Sequence, residues 1–217
     1  EYWSVPELYK KHQKVFDQFF LQRLNRIKKY QKNSYSNVLD VGAGYGFWSN
    51  FLIKNNYNVT SIEPHKQACD YANKTYDINC QNLFFEETDF NQSFDQIFMF
   101  DVLEHFINPK QMLEKAKGLL RPGGLIYIQV PNVLGLKYPL NHSLGLPHHI
   151  WQFNPKSLRN LLISAGFEPL QYWTGIQGVI GEYENGGVTV LKKSMWTLAN
   201  FLKRGNRIQF IARAPDA

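Results

Sequence analysis

Three glycines at alternate positions, Gly42, Gly44 and Gly46, stand between an apolar run, Val38-Leu39-Asp40-Val41, and a helix-like stretch that opens at Phe47. Glycine tolerates backbone angles barred to other residues, and its missing Cβ lets a ligand lie against the chain, here also along Ala43. The carboxylate Glu63 closes the next apolar run 21 residues beyond Gly42 and is followed by Pro64. An acid at that spacing can accept hydrogen bonds from the hydroxyls of a ribose. The turn and the acid together point to a nucleoside-containing ligand.

The order of the glycines narrows the ligand. A turn that carries a dinucleotide reads G-x-G-x-x-G, so that a pyrophosphate rests on the helix N-terminus. This chain reads G-x-G-x-G, with Phe47 in the place of the third glycine and Asp40 ahead of the first. A carboxylate there repels phosphate and attracts an ammonium group. S-adenosylmethionine has an ammonium, a sulfonium, a ribose and no phosphate, so the spacing and the sign of the charge both favour it.

Such a turn needs a strand before it and a helix after it, and the chain alternates accordingly. Strands are expected at 37–41, 58–62, 82–85, 94–100, 125–130, 168–173 and 207–213, with helices at 47–54, 65–75, 109–120, 155–165 and 190–203. Alternation of this kind implies a parallel sheet with helices on both faces. Residues 5–31 read as one helix with Pro6 in its first turn and a broad apolar stripe. The stretch 131–150 is a long irregular loop rich in Pro, Gly, Asn and His, and 175–188 is a second loop with five glycines.

At this point the chain resembles the class I S-adenosylmethionine-dependent methyltransferases, and in texture the bacterial small-molecule and quinone O-methyltransferases. LDVGAGYG (39–46) resembles motif I, SIEP (61–64) the ribose-binding acidic motif, TDF (88–90) the segment beside adenine, FDQIFMFDVLEHFINP (94–109) motif IV, and LLRPGGLIYIQVPN (119–132) the strand-five motif. The five come in family order. Further on, HHIWQF followed by SLRNLLISAGFE resembles the later segment of the same proteins, whereas 1–36 and 175–205 carry no such match. The resemblance implies an α/β, Rossmann-like, doubly wound sheet of seven strands in the order 3-2-1-4-5-7-6, the last strand antiparallel. A helical cap over 1–36 would precede a methyltransferase domain over 37–217 with insertions at 131–150 and 175–205. It also implies roles for individual residues. Gly42, Gly44 and Gly46 would line the methionine part and the ribose, with Asp40 near the ammonium. Glu63 would bind both ribose hydroxyls, Asp89 and Phe90 would face adenine, and Asp101 would lie beside the transferring methyl.

An oxygen acceptor must lose a proton, and His105 and His149 are the candidate bases. Glu104-His105 follows the fourth strand, and His149 ends the long loop. No second pair of ligands accompanies Glu104-His105, so no metal is expected. His12 and His65 sit at helix starts and are read as inert. The two cysteines, Cys69 and Cys80, exclude a disulfide framework or a four-thiolate site and fit a reducing, cytoplasmic setting. The opening Glu1-Tyr2-Trp3-Ser4 lacks the layout of a secretory leader, and no apolar run is long enough to span a membrane.

With 44% apolar and 19% charged residues the chain can bury a core, and its net charge of +6 permits an anionic partner without requiring one. An RNA methyltransferase is one alternative, but strand four runs into FDVLEH rather than the Asn/Asp-Pro-Pro-aromatic signature of base-amino enzymes. A non-catalytic module that kept the cofactor fold is another. A small-molecule acceptor is the favoured partner; the residues do not name it, and they leave the oligomeric state open.

Overall fold

The computed structural model describes residues 5–32, 35–135, 147–175, 194, 197–199 and 201–216. Seven strands form one sheet in the order β3-β2-β1-β4-β5-β7-β6, the expected arrangement. They are β1 (Asn37–Val41), β2 (Asn58–Ile62), β3 (Asn79–Gln81), β4 (Phe94–Phe100), β5 (Leu120–Pro131), β6 (Glu168–Gly175) and β7 (Arg207–Arg213). β1, β2 and β3 pair parallel, and β7 runs antiparallel to β6. The helices are α1 (Val5–Lys11), α2 (Gln13–Lys28), α3 (Phe47–Lys54), α4 (Lys66–Tyr76), α5 (Pro109–Leu119) and α6 (Pro155–Ser164). Among the described residues no helix is long and apolar enough to cross a membrane.

The chain divides into two compact units. The first holds residues 1–98 with 119–125. Its centre is β1, whose inner residues Val38, Leu39 and Val41 are buried. Asp95 ties the start of β1 in place. One of its carboxylate oxygens accepts from the N–H groups of Ser36 and Asn37 at 3.0 and 2.9 Å, and the other from Arg121 at 2.8 Å. A buried carboxylate satisfied on both oxygens is a strong local anchor.

Two expectations fail in this unit. The single helix over 5–31 is two helices, because His12 leaves the helical region (φ −115, ψ 20) and caps α2. The break allows Tyr9 of α1 to stack flat on Phe47 at the start of α3, ring centroids 3.9 Å apart. The third strand is 79–81 rather than 82–85. Cys80 pairs with Ser61, and its N–H donates to the Asn73 side chain, so the polar triplet Asn-Cys-Gln takes the strand. Of the apolar residues that suggested a strand, Phe85 is buried at the start of a 3-10 turn, Phe85–Glu87, and Leu83 and Phe84 precede it, exposed.

The second unit holds residues 99–118 and 126–217. α6 begins with a capping box in which Asn154 accepts from Lys156 and Ser157 N–H, and Pro155 occupies the first helical turn. The β6–β7 pair supplies Phe210, Ile208 and Ile211 to its core. Most of the loops expected at 131–150 and 175–188, and part of the helix expected at 190–203, lie outside the described residues. Residues 197–199 and 201 are helical, as expected.

Candidate active site

The glycine turn in the first unit is held from beneath. The N–H groups of Gly42 and Ala43 both donate to the carbonyl of Ile62, the last residue of β2, at 2.9 and 3.0 Å. Gly42, Gly44 and Gly46 all have positive φ (71, 54 and 76°). Gly46 is also enclosed: a Cβ there would stand 2.7 Å from Ile78 and 2.8 Å from Ala72. Gly44 differs, since a Cβ added to it meets nothing within 4 Å. Its missing side chain therefore faces open space.

Glu63 is bonded to the same turn. Its Oε2 accepts from Gly44 N–H at 2.7 Å and its Oε1 from His65 N–H at 2.8 Å. Asn82 donates to the carbonyls of Glu63 and Pro64, so the end of β3 fixes this corner too. A carboxylate oxygen has two lone pairs, so each oxygen of Glu63 keeps acceptor capacity for a hydroxyl. Asp89 is exposed just beyond the 3-10 turn, and Phe90, half-buried, lies edge-on to Phe94.

Asp40 sits under the turn and is 2% exposed. It accepts from the Ser49 hydroxyl, which also meets that of Ser61 at 2.9 Å. Burial raises its carboxyl to about 6, against the Ser49 hydrogen bond and the charge of Arg23, with the Glu63 charge adding to the rise. Arg23 itself lies over the Trp48 ring at 5.3 Å.

The native state thus binds the Asp40 proton more tightly than the unfolded chain does. The associated stabilisation is fully present below about pH 4 and is lost as pH rises through about 6, roughly 3 kcal/mol in all. In urea unfolding, the wild type should lose roughly 2 kcal/mol more stability between pH 4.5 and 7.5 than Asp40→Asn does, the other titrating groups being common to both. An equal pH slope in the two proteins would contradict the assignment.

The second unit carries a different cluster. Asp101 ends β4 in the left-handed region (φ 55°) and donates its N–H to the Gln129 carbonyl at 2.8 Å. Its carboxylate is held from two strands, by Gln129 Nε2 at 2.7 Å and by Arg207 Nε at 2.8 Å. Gln129 accepts in turn from Gln209, and Gln209 accepts from the Tyr127 hydroxyl.

Three residues on, the Glu104 side chain is 0% exposed, and among the described residues neither of its oxygens has a hydrogen-bond partner. Burial, then the negative charge of Asp101, pushes its carboxyl up to about 8, while Arg207 pulls the other way. It is therefore largely neutral at pH 7. His149 Nε2 stands 4.0 Å from it, and the His105 and His149 rings meet edge-on at 4.9 Å. His105 Nδ1 lies 3.0 Å from the His148 carbonyl. Ligand atoms of Glu104, His105 and His149 all fall within 4.8 Å of one another. Trp151 pins the segment by donating its backbone N–H to Glu104 O and its indole N–H to Phe106 O.

The structure thus brings Gly44 and Glu63 together in one unit, and His105 with His149 in the other. Sequence reasoning passed over Ser49 and Ser61, and also Gln129, Gln209 and Arg207. A lone glutamine inside each of the apolar strands LIYIQV and RIQF was the only available signal.

A sheet in this strand order, with a glycine turn after β1 and an acid after β2, defines the class I S-adenosylmethionine-dependent methyltransferases. A family model described as a methyltransferase domain matches residues 3–172, and the chain belongs to that family. It is 28% identical over 170 residues to a ubiquinone biosynthesis O-methyltransferase of Coxiella burnetii, covering 71% of this chain and 72% of the relative. It is 31% identical over 144 residues to the enzyme of that name from Actinobacillus pleuropneumoniae, covering 57% and 62%. Among solved structures, a SAM-dependent methyltransferase from Thermotoga maritima superposes with a TM-score of 0.66 at 16% identity, covering 96% of this chain and 99% of that one. The [4+2]-cyclase SpnF superposes with a TM-score of 0.65 at 15% identity, covering 93% and 82%. These structural likenesses concern the fold, and a cyclase among them illustrates that the fold hosts more than one reaction. The protein is an S-adenosylmethionine-dependent methyltransferase.

Proposed function

We propose that the enzyme methylates a hydroxyl oxygen of a small molecule, such as a sugar, a lipid-linked intermediate or a secondary metabolite, and that His105 takes the proton. The observation that carries this reading is the environment of His105. A carbonyl oxygen only accepts, so the His148 carbonyl holds a proton on Nδ1 and leaves the Nε2 lone pair free. An exposed imidazole with a free Nε2 can take the proton of an acceptor hydroxyl. His149 turns its Nε2 toward Glu104 instead, which makes it the lesser candidate. The names of the curated relatives support oxygen as the accepting atom.

For the donor, Gly42, Ala43, Gly44 and Gly46 lie along the methionine part and ribose in this reading. Glu63 takes the ribose hydroxyls, with Pro64 beside it. Asp89 and Phe90 face adenine, Asp40 places negative charge beneath the turn for the ammonium, and Asp101 lies toward the methyl. The open space at Gly44 and the preset carboxylate of Glu63 support this placement. The donor brings a methyl already activated by its sulfonium, so the residues orient both reactants, exclude water and remove the proton.

A second reading follows from the grouping of Glu104, His105 and His149, whose atoms could hold a divalent cation. One assay addresses both. A donor with a deuterated methyl group is incubated with a panel of hydroxylated acceptors, with and without chelator, and the products are read by mass spectrometry. The proposal expects an O-methyl product that survives chelation. Label on nitrogen or in RNA would contradict it, and loss of activity restored by magnesium would favour the cation.

A further inference from the structure

We propose that the face formed by Leu198, Phe201 and Leu202 docks the enzyme on an anionic lipid surface. Residues 197–199 and 201 are helical, and Leu202 N–H donates to Leu198 O at 2.9 Å. The three side chains sit at i, i+3 and i+4, so they share one side of the turn. They are 58%, 81% and 57% exposed, while Ala199 between them is buried. Single exposed apolar side chains are ordinary, but three adjacent ones make a contiguous patch of the kind that marks an interaction surface. Leu134, also exposed, belongs to the same region, because Arg204 donates to its carbonyl at 3.2 Å.

The charge around this face selects the occupant. Lys203 and Arg204 follow directly and are exposed, with the Lys203 ammonium 5.3 Å from the Tyr172 ring. In sequence Lys192 and Lys193 precede the face as well, whereas Arg207 and Arg213 of β7 are paired with Asp101 at 2.8 Å and Glu168 at 3.6 Å. Apolar side chains bordered by cations are the composition of segments that lie in the headgroup region of anionic membranes. A protein partner or a second copy would need no such one-sided charge.

Flotation of the full chain with vesicles of phosphatidylcholine and phosphatidylglycerol tests it. The wild type should float with the mixed vesicles and at least tenfold less with phosphatidylcholine alone, and binding should weaken with added salt. Phe201→Glu and Leu198→Glu should each reduce flotation at least tenfold, and Lys203→Gln with Arg204→Gln should flatten the salt dependence. Near-UV circular dichroism and S-adenosylhomocysteine affinity, both unchanged, establish that the variants are folded. Equal flotation of wild type and Phe201→Glu would overturn the proposal. So would a wild type that ignores vesicles, including one that forms a dimer broken by Phe201→Glu, which would reassign the face to a second copy.

Discussion

Replacing Glu63 with alanine should weaken S-adenosylhomocysteine binding by roughly 100-fold or more in calorimetry, with the fold intact. The magnitude comes from two hydroxyls donating to one charged carboxylate, at about 1.5–3 kcal/mol for each such bond. The loss is deepened because Glu63 also sets the turn: Gly44 N–H and His65 N–H would lose their acceptor together. Unfolding is not expected, since β2 keeps its ladder to β1 and β3. Glu63→Gln makes a sharp comparison. An amide presents one oxygen and one NH2, so one of the two N–H groups would face a donor. It should therefore bind poorly as well, despite nearly identical shape. An alanine variant with wild-type affinity would remove Glu63 from the donor site.

His105→Ala should lower turnover by about 100- to 10,000-fold, the usual range for loss of a general base. Donor affinity should not change, because no proposed donor contact passes through this ring. The side chain is exposed, so little packing is lost. His149→Ala should cost less, since its ring faces a largely neutral Glu104 rather than open solvent. Turnover measured at saturating donor separates these cases. If both variants keep full turnover, neither ring removes the proton, and base catalysis by this cluster is wrong.

Local chemistry explains which parts were readable in advance. The turn at Gly42–Gly46 and the acid at Glu63 are short-range patterns, and the structure joins them through the Gly44–Glu63 hydrogen bond. The strand order also matched, though it came with the family resemblance rather than from periodicity. Boundaries failed where a polar side chain outweighed apolar pattern, as Asn73 does when it secures Cys80 in β3. The break at His12 was hidden because the apolar stripe continues across it. The meeting of His105 with His149, and the chain Tyr127–Gln209–Gln129–Asp101, depend on register between distant segments. No local pattern encodes such register. The ionisation of Asp40 and Glu104 was equally out of reach, since burial sets it.

The most direct test is a crystal structure with S-adenosylhomocysteine bound. The ribose oxygens should lie within hydrogen-bond distance of the Glu63 carboxylate, with the backbone at Gly44 in van der Waals contact with the ligand. A nucleoside bound away from Glu63, or a turn that closes over Gly44 and shuts the ligand out, would contradict the account.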